Sequence, residues 1–175
     1  AAPSNLFTVN EKCDKLTAGK AKSYVSLVCK MLFCTKRARP DTGTALSYLT
    51  TRTKSPDQED WVKLGHLMKY LRGTALLPLT LSSDGGGILK WWIDGSHGVH
   101  PNMRGHTGGG LSMGTGFPIH QSGKQKLNTK SSTETEVVGV DDLMPAILWT
   151  RMFLEGQGYG VTENIIYQDN QSAIL

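Results

Sequence analysis

Two glutamates two residues apart open a helix-like stretch that begins near residue 131, in the sequence SSTETE. Ser131 and Glu134 have the spacing of a capping box, in which the serine hydroxyl accepts a bond from a free amide and the glutamate reaches back to the cap amide. Glu136 instead begins an apolar series at helical spacing, formed by Val140, Leu143 and Ile147. Because a carboxylate on a buried face is costly without a partner such as a metal ion, Glu136 is a candidate metal ligand.

Two aspartates close runs of apolar residues that have the pattern of strands. Asp94 closes ILKWWID, in which apolar residues alternate, and Asp169 closes NIIYQD. Parallel strands joined by a crossover helix leave their C-terminal ends side by side, which predicts that Asp94, Glu136 and Asp169 meet. Oxygen ligands without cysteine favour Mg²⁺ or Mn²⁺. Since two such ions about 3.5 to 4 Å apart suit in-line attack on a phosphodiester, the pattern predicts a two-ion nuclease.

Each acid also has an ordinary structural role open to it. Asp94 could start a turn with Gly95, and Asp169 could cap the last helix through a local bond. Glu136 could join a salt bridge. The joint placement of the three acids at the ends of elements is what favours the metal site.

Three of the five histidines, His97, His100 and His106, lie in a predicted loop over residues 95–106. They could be interpreted as zinc ligands, but no short motif of cysteine and histidine completes a tetrahedral set. Histidines that help to bind substrate, or that have no chemical role, fit this loop better. A nucleotide-binding phosphate loop is also disfavoured, because Gly123-Lys124 lacks the upstream glycine spacing and the following Ser or Thr.

The balance of charge favours a polyanionic partner. The chain has 19 Lys and Arg against 15 Asp and Glu, a net charge of +4. Lys124, Lys126 and Lys130 lie between a glycine-rich hairpin, predicted to turn at Gly114-Thr115-Gly116, and the SSTETE helix. They predict contacts to nucleic-acid phosphates beside the acids, with a solvated sheet edge as the alternative.

The sequence has no sign of a membrane span or an export signal. It has no run of about 18 apolar residues, and its N-terminal residues lack the basic and apolar regions of a signal peptide. Cys13, Cys29 and Cys34 form no CxxC pair and are odd in number, which is typical of reduced thiols. These features predict an intracellular protein, without separating a cytoplasmic particle from the nucleus.

Apolar residues at helical spacing predict three helices in the first part of the chain. The helices cover residues 21–35, residues 40–53 and a stretch that Gly73 ends. Ser55 is predicted to cap the third helix, with Pro56 at its first helical position.

The hydrophobic period changes near residue 75. Leu77, Leu79 and Leu81 alternate with other residues, which predicts a strand, and a long helix is predicted from about Ser132 to Gly156. The predicted domains are therefore a helical segment over residues 1–75 and an α/β domain over residues 76–175.

Several motifs resemble the ribonuclease H region of a copia-type retrotransposon polyprotein. These motifs are WWIDGSHG, SGKQKLNTKSSTETEVVGVDDLMPAILWTRMFLEGQG and IIYQDNQSAI, in that order along the chain. In the first half, ARPD followed by W-x-x-L-x-x-x-x-x-Y-L-R-G-T resembles the segment that links reverse transcriptase to that domain. The resemblance covers the chain from about residue 21.

The resemblance implies a ribonuclease H-like mixed sheet with flanking helices, preceded by a small helical connection segment. It implies hydrolysis of the RNA strand of an RNA/DNA hybrid, with the three acids as metal ligands and a reverse transcriptase as the neighbouring domain of the polyprotein. RNA would be distinguished through its 2′-hydroxyl groups. Part of that surface is expected on the hairpin and on the 95–106 loop, which carries Arg104 and His106.

One departure from the family's pattern bears on activity. Ribonuclease H enzymes of this type carry a fourth acid, a fifth strand and a further helix downstream of D-N-Q-S-A, whereas this chain stops at Leu175. The domain is therefore expected to be C-terminally incomplete, with an unpaired sheet edge. The fragment is expected to have weak or no activity alone, while its parent polypeptide is active.

Two other functions stay open. The chain could be a decayed or domesticated remnant that binds nucleic acid without cutting it. It could also be a connection domain that positions a hybrid for a neighbouring polymerase, which the basic cluster at residues 36–39 would suit.

Overall fold

The structure, a computed structural model, describes residues 5–174 and divides into two compact units, Ala1–Leu79 and Thr80–Leu175. The change of hydrophobic period predicts a division between residues 75 and 76, and the structure has it between residues 79 and 80. None of the helices within residues 5–174 combines the length and the apolar character needed to cross a bilayer.

The first unit is a group of helices around one apolar core. Its elements are α1 (Ala18–Arg37), a 3-10 turn (Pro40–Thr42), α2 (Gly43–Thr51) and α3 (Gln58–Gly73). All three helices contribute buried side chains, including Tyr24, Val28, Leu46, Leu49 and Leu64. The Tyr24 hydroxyl donates a hydrogen bond to the carbonyl of Leu49 (2.9 Å), which ties α1 to the end of α2. The predicted helical character of this part is confirmed.

The predicted cap of α3 at Ser55 is wrong by two residues. Asp57 is the N-cap, and its carboxylate accepts a bond from the Asp60 amide while the Asp60 carboxylate accepts one from the Asp57 amide, both at 3.0 Å. Pro56 therefore precedes the cap instead of starting the helix. Arg52 donates to both carboxylates, at 2.7 Å to Asp57 and 3.0 Å to Asp60, and this buried cluster favours the later start.

The second unit contains a four-stranded mixed sheet. Its elements are β1 (Ser82–Ser83), β2 (Ile88–Ser96), β3 (His106–Ser112), β4 (Gly114–Thr115), β5 (Ile119–Lys124), α4 (Ser132–Gly156), β6 (Glu163–Tyr167) and α5 (Gln171–Ile174). The sheet order is β5-β3-β2-β6, and β1 pairs with β4 separately. β2 runs antiparallel to β3 and parallel to β6. The chain reaches β6 through the crossover helix α4. The predicted fold class, a mixed α/β sheet with flanking helices consistent with a ribonuclease H-like fold, is confirmed.

Helix α4 covers one face of this sheet. The predicted alternation in β2 is confirmed, because Leu89, Trp91 and Ile93 are buried on the α4 side. Leu143 of α4 packs beside Gly109 of β3, where an added Cβ would lie 3.0 Å from the Leu143 Cδ2 atom. The second unit's core is therefore built between α4 and the central strands.

Three predictions about strands need correction. Leu77, Leu79 and Leu81 form no strand, because only Ser82–Ser83 finds a pairing partner. Alternation alone does not make a strand without a neighbour that accepts its hydrogen bonds. β2 continues two residues past Asp94, and β6 ends two residues before Asp169.

Leu143→Ala is expected to lower the free energy of unfolding of the second unit by about 2 to 5 kcal/mol, because it removes buried surface and leaves a cavity. The Leu143 side chain is 1% exposed in the core. Amide hydrogen exchange in β2 and β3 measures the change.

Leu148→Ala is the matched control for that experiment. Leu148 lies on the same helix but is 54% exposed. Its truncation is expected to change the free energy by no more than about 0.5 kcal/mol. Equal loss of protection in the two variants would contradict the packing of α4 through Leu143.

Candidate metal centre

Three carboxylates from different elements converge in the second unit. One ligand oxygen from each of Asp94, Glu136 and Asp169 lies within 4.8 Å of the others, and within residues 5–174 no other group of three His, Cys, Asp or Glu side chains comes together in this way. The parallel register pairs Trp92 with Tyr167. Asp94 lies two residues after Trp92, and Asp169 lies two residues after Tyr167, so the two aspartates come at the same end of neighbouring strands. Glu136 lies in the first turns of α4. The structure thus brings together the three acids that the sequence pattern singled out.

Gly95 allows the start of α4 to approach β2 closely. A Cβ added at Gly95 would lie 2.9 Å from the carbonyl oxygen of Thr135 and 3.1 Å from Oε2 of Glu136. Any larger residue would push the helix start away, because real Cβ atoms do not approach a backbone oxygen this closely. Glycine next to Asp94 is therefore what lets Glu136 reach the carboxylate of the strand.

Gln168 holds two of the acids in place, and it was not predicted. Its side-chain amide nitrogen donates to Oε2 of Glu136 (3.1 Å), while its oxygen accepts from the backbone amides of Asp169 (2.8 Å) and Asn170 (3.1 Å). One side chain therefore fixes both the Glu136 carboxylate and the backbone at Asp169. Its position immediately before Asp169 was the signal available in the sequence, but a solvated glutamine there would be equally ordinary. In the structure Gln168 is half-buried.

The site concentrates negative charge, and no basic side chain of residues 5–174 forms an ion pair there. Glu136 is 6% exposed, and burial raises its pKa above the usual value. The bond from Gln168 lowers that pKa, and the charges of Asp94 and Asp169 raise it. Within the described residues 5–174, no Lys or Arg forms an ion pair with any of the three acids. A set of oxygen-only donors with this unbalanced charge fits a hard divalent cation.

The ordinary roles of the three acids are not the ones that the structure shows. Asp94 lies inside β2, with Gly95 continuing the strand instead of turning. The amide of Ala173 in the last helix is bonded by the side chain of Asn170 (3.1 Å), not by that of Asp169. Glu136 has an amide partner and no ion pair among the described residues.

The start of α4 is fixed by a cap and by a buried polar network. Ser131 Oγ accepts from the Glu134 amide (3.1 Å), as predicted, but Glu134 accepts from the Lys130 amide (2.6 Å), one residue before the predicted partner. Thr135 is fully buried. Its hydroxyl oxygen lies 2.6 Å from the hydroxyl oxygen of Thr129 and 2.9 Å from Nδ1 of His97, within hydrogen-bond distance of both. This network was not predicted, because no periodicity identifies a polar residue that is buried.

The remaining loop histidines form a buried pair instead of a zinc site. His100 Nε2 lies 3.0 Å from His106 Nδ1, and His106 Nε2 lies 2.8 Å from Ser122 Oγ. Burial lowers the pKa of both rings to about 4, so both are neutral at physiological pH. His106 begins β3 and is 5% exposed, which corrects its assignment to the loop and removes its ring from the predicted nucleic-acid contacts.

The predicted basic contacts take different positions in the second unit. Lys126 and Lys130 are exposed, and Arg104 and Lys124 are half-buried. Lys124 ends β5, while Lys130 immediately precedes the Ser131 cap of α4.

The chain is similar to retrotransposon proteins. It is 29% identical over 152 residues to the Retrovirus-related Pol polyprotein from transposon TNT 1-94 of Nicotiana tabacum, which covers 86% of this chain and 11% of that protein. It is 27% identical over 126 residues to a protein named for the transposon Ty5-1 of Saccharomyces cerevisiae, which covers 71% of this chain and 41% of that protein. The chain therefore spans less than half the length of either relative, and these similarities support a region of a retroelement polyprotein.

A third similar protein carries a different name. The chain is 25% identical over 127 residues to Secreted RxLR effector protein 161 of Plasmopara viticola, which covers 72% of this chain and 89% of that protein. No protein-family model matches the chain. No solved structure matches it significantly.

Glu136→Gln is expected to stabilise the second unit at neutral pH when divalent ions are chelated. Because the folded-state pKa of Glu136 is raised, its contribution to stability is present below the unfolded pKa and is lost as pH rises through the folded value. The variant should lack this loss, so its stability should vary less with pH above about 4.3. Urea unfolding from pH 4 to 8, followed by hydrogen exchange in α4, measures the difference.

Glu134→Gln is the matched control, two residues away. Glu134 is exposed and lies in the first turn, where a negative charge favours the helix, so its neutralisation is expected to cost about 0.3 to 1 kcal/mol. If both variants were destabilised alike at pH 7, burial of an uncompensated Glu136 charge would be the wrong description.

Proposed function

We propose that this chain is the ribonuclease H module of a copia-type retroelement polyprotein, which hydrolyses the RNA strand of RNA/DNA hybrids during reverse transcription. The observation that carries the proposal is the convergence of Asp94, Glu136 and Asp169 within 4.8 Å without a basic partner in the described part of the chain. Similarity to retrotransposon proteins supports the retroelement context. The mixed sheet, with its parallel β2 and β6 bridged by α4, supports the nuclease assignment.

In this proposal the three acids hold two Mg²⁺ ions, for which Mn²⁺ can substitute. The bound ions would supply activation of the attacking water and stabilisation of the leaving 3′ oxygen. Gln168 would orient one oxygen of Glu136 and the backbone at Asp169, so that the ligands are placed before an ion arrives. Gly95 would keep the helix start close enough for Glu136 to share an ion with Asp94.

The proposed partners are an RNA/DNA hybrid and a reverse transcriptase domain of the same polyprotein. Arg104, Lys124, Lys126 and Lys130 are the candidate contacts to phosphates, and their charges would set the register of the hybrid on the sheet. Selection of RNA would require contacts to 2′-hydroxyl groups. The helical first unit would be the connection to the reverse transcriptase.

A second candidate is a domesticated remnant that binds nucleic acid, or positions a hybrid for a polymerase, without cutting. One observation favours this candidate. The chain is similar to Secreted RxLR effector protein 161, which carries no transposon name, and the alignment covers 89% of that protein. The intact acid cluster favours the nuclease.

Asp94→Asn or Asp169→Asn is expected to abolish cleavage of a labelled RNA/DNA hybrid by the polyprotein that contains this chain. Each substitution removes one charged oxygen ligand from a site that has three. Cleavage is followed on denaturing gels with Mg²⁺, and Mn²⁺ binding to the 175-residue chain is measured separately by electron paramagnetic resonance.

The control for loss of cleavage is the affinity for the hybrid in the presence of Ca²⁺, which the Asn variants should retain. Metal binding without cleavage in the wild-type polyprotein would favour the non-cutting remnant. A wild-type chain that binds no Mn²⁺ would contradict the metal site itself.

A further inference from the structure

Helix α4 carries a second apolar stripe on the side that faces away from the sheet. The stripe follows the i, i+3, i+4, i+7, i+8 spacing of one helix face, and every member is exposed. Its members are Pro145, Leu148, Trp149, Met152 and Phe153. We call these five residues the outer stripe. At about 3.6 residues per turn they lie opposite Leu143 and Ile147, the buried side chains through which α4 packs on the sheet.

The outer stripe exposes much apolar surface in one place. Met152 is 70% exposed, Trp149 58%, Leu148 54% and Phe153 48%. The rings of Trp149 and Phe153 stack with their centroids 5.0 Å apart and their planes 14° apart, so the two side chains form one continuous surface. Single exposed apolar residues are ordinary, but a contiguous patch of this kind marks an interaction surface. A helix that is apolar on both sides is usually covered on both sides.

The outer side of α4 changes character along its length. Its first half carries the exposed acids Glu134 and Asp141, whereas the outer stripe begins at Pro145. Charged residues along the whole outer side would be expected if that side only met water. The change confines the interaction surface to about the last three turns of the helix.

The outer stripe offers nothing that would select a partner by charge. It contains no charged residue, and the charges beside it pair with each other, since Arg151 Nε lies 2.9 Å from Glu155 Oε1. An apolar surface without a net charge is complementary to itself, because a two-fold axis places the same patch of both copies in contact. A second copy of this chain therefore matches the outer stripe in chemistry and in shape of the helix face.

The exposed area of the outer stripe fits a weak dimer. With about 150 to 250 Å² for a large side chain, the exposed fractions amount to roughly 450 Å² on one copy and roughly 900 Å² on two. Stable interfaces bury about 1,200 to 2,000 Å², and crystal contacts mostly bury less than about 800 Å². Rim side chains such as Arg151 and Glu155 add area on both copies. The contact then reaches the low end of specific interfaces.

We propose that the outer stripe is a dimerisation surface, through which two copies of this chain pack α4 against α4 about a two-fold axis. An antiparallel pair is expected, because a parallel pair would bring the two Asp141 carboxylates together, and like charges across an interface are unfavourable. The two copies would contact each other through Leu148, Trp149 and Met152 at the centre.

This surface is separate from the acid cluster. Glu136 lies on the buried side of α4 and about 20 Å along the helix axis from Trp149, at about 1.5 Å per residue. Dimerisation would therefore leave both acid clusters open. The proposal does not depend on the proposed function, and its test requires neither metal nor nucleic acid.

The test is sedimentation equilibrium of the full 175-residue chain from about 1 to about 300 µM. The average mass is expected to rise from one chain to two, with a Kd on the order of 10 to 100 µM, as a small apolar contact gives. A chain that stays monomeric over this range would overturn the proposal. Growth beyond two chains would also overturn it, because a two-fold contact closes at two.

Two variants locate the contact on the outer stripe. Trp149→Ser is expected to raise the Kd by about 30-fold or more, the effect of losing a central aromatic residue. Met152→Glu is expected to abolish the dimer, since it places a charge in an apolar contact. Both positions are exposed, so circular dichroism should show an unchanged helix content. Unchanged dimerisation in both variants would overturn the assignment.

Phe33→Ser is the matched control for those variants. Phe33 is an exposed aromatic residue on α1 (66%), outside the outer stripe. Its substitution should leave the Kd unchanged. An equal loss in Phe33→Ser and Trp149→Ser would show non-specific apolar association and would overturn the dimer surface.

Radical footprinting separates a second copy from another segment of the parent polyprotein. In the isolated chain, oxidation of Met152 should slow as the concentration rises through the Kd, while that of Met68, which is 42% exposed on α3, should not change. The same dependence in the polyprotein that contains this chain supports the dimer. Protection of Met152 in the polyprotein at every concentration would show that another segment covers the outer stripe, and would overturn the second copy.

Discussion

The close contact between Gly95 of β2 and the start of α4 is the constraint on which the candidate site depends. A Cβ at Gly95 would lie 2.9 Å from the carbonyl oxygen of Thr135. Glu136 follows Thr135, and Asp94 precedes Gly95, so the same approach that excludes a side chain brings the two carboxylates together. The parallel pairing of β2 with β6 then adds Asp169. One backbone contact and one strand register therefore determine where three elements meet.

The electrostatic arrangement at the acid cluster of the second unit is unfavourable. Glu136 is buried, its pKa is raised by that burial, and the neighbouring acids raise it further. The hydrogen bonds from the Gln168 side chain and the Gly95 backbone act in the opposite direction, but the pKa of Glu136 stays raised. Hydrogen bonds to charged groups contribute about 1.5 to 3 kcal/mol each, so they offset only part of the cost of burial. Perturbed acids that persist in a well-packed domain are concentrated at functional sites. The first unit shows the contrast, because its buried Asp57 and Asp60 are both paired with Arg52.

Local patterns predicted those parts of the structure that local chemistry determines. The helix Ser132–Gly156 and the inward face of β2 were predictable because capping and alternation act over a few residues. Crossover topology then predicted that the acids would meet. The burial of His106 and the hydroxyl network around Thr135 were not predictable, since they depend on which loop packs over which strand. The predicted strand that contains Leu77 was wrong for the same reason, because a strand requires a pairing partner that its own residues do not specify.

The acid cluster has a thermodynamic consequence for the proposed function. A nucleic-acid strand bound there would bring its phosphates against three carboxylates. Like charges at close range repel unless a divalent cation lies between them. Under the proposed function, a bound metal ion would therefore raise the affinity for the hybrid, and linkage would make this coupling reciprocal. Replacing one aspartate by asparagine would remove a repelling charge together with a metal ligand, so the two effects on the affinity for the hybrid oppose each other.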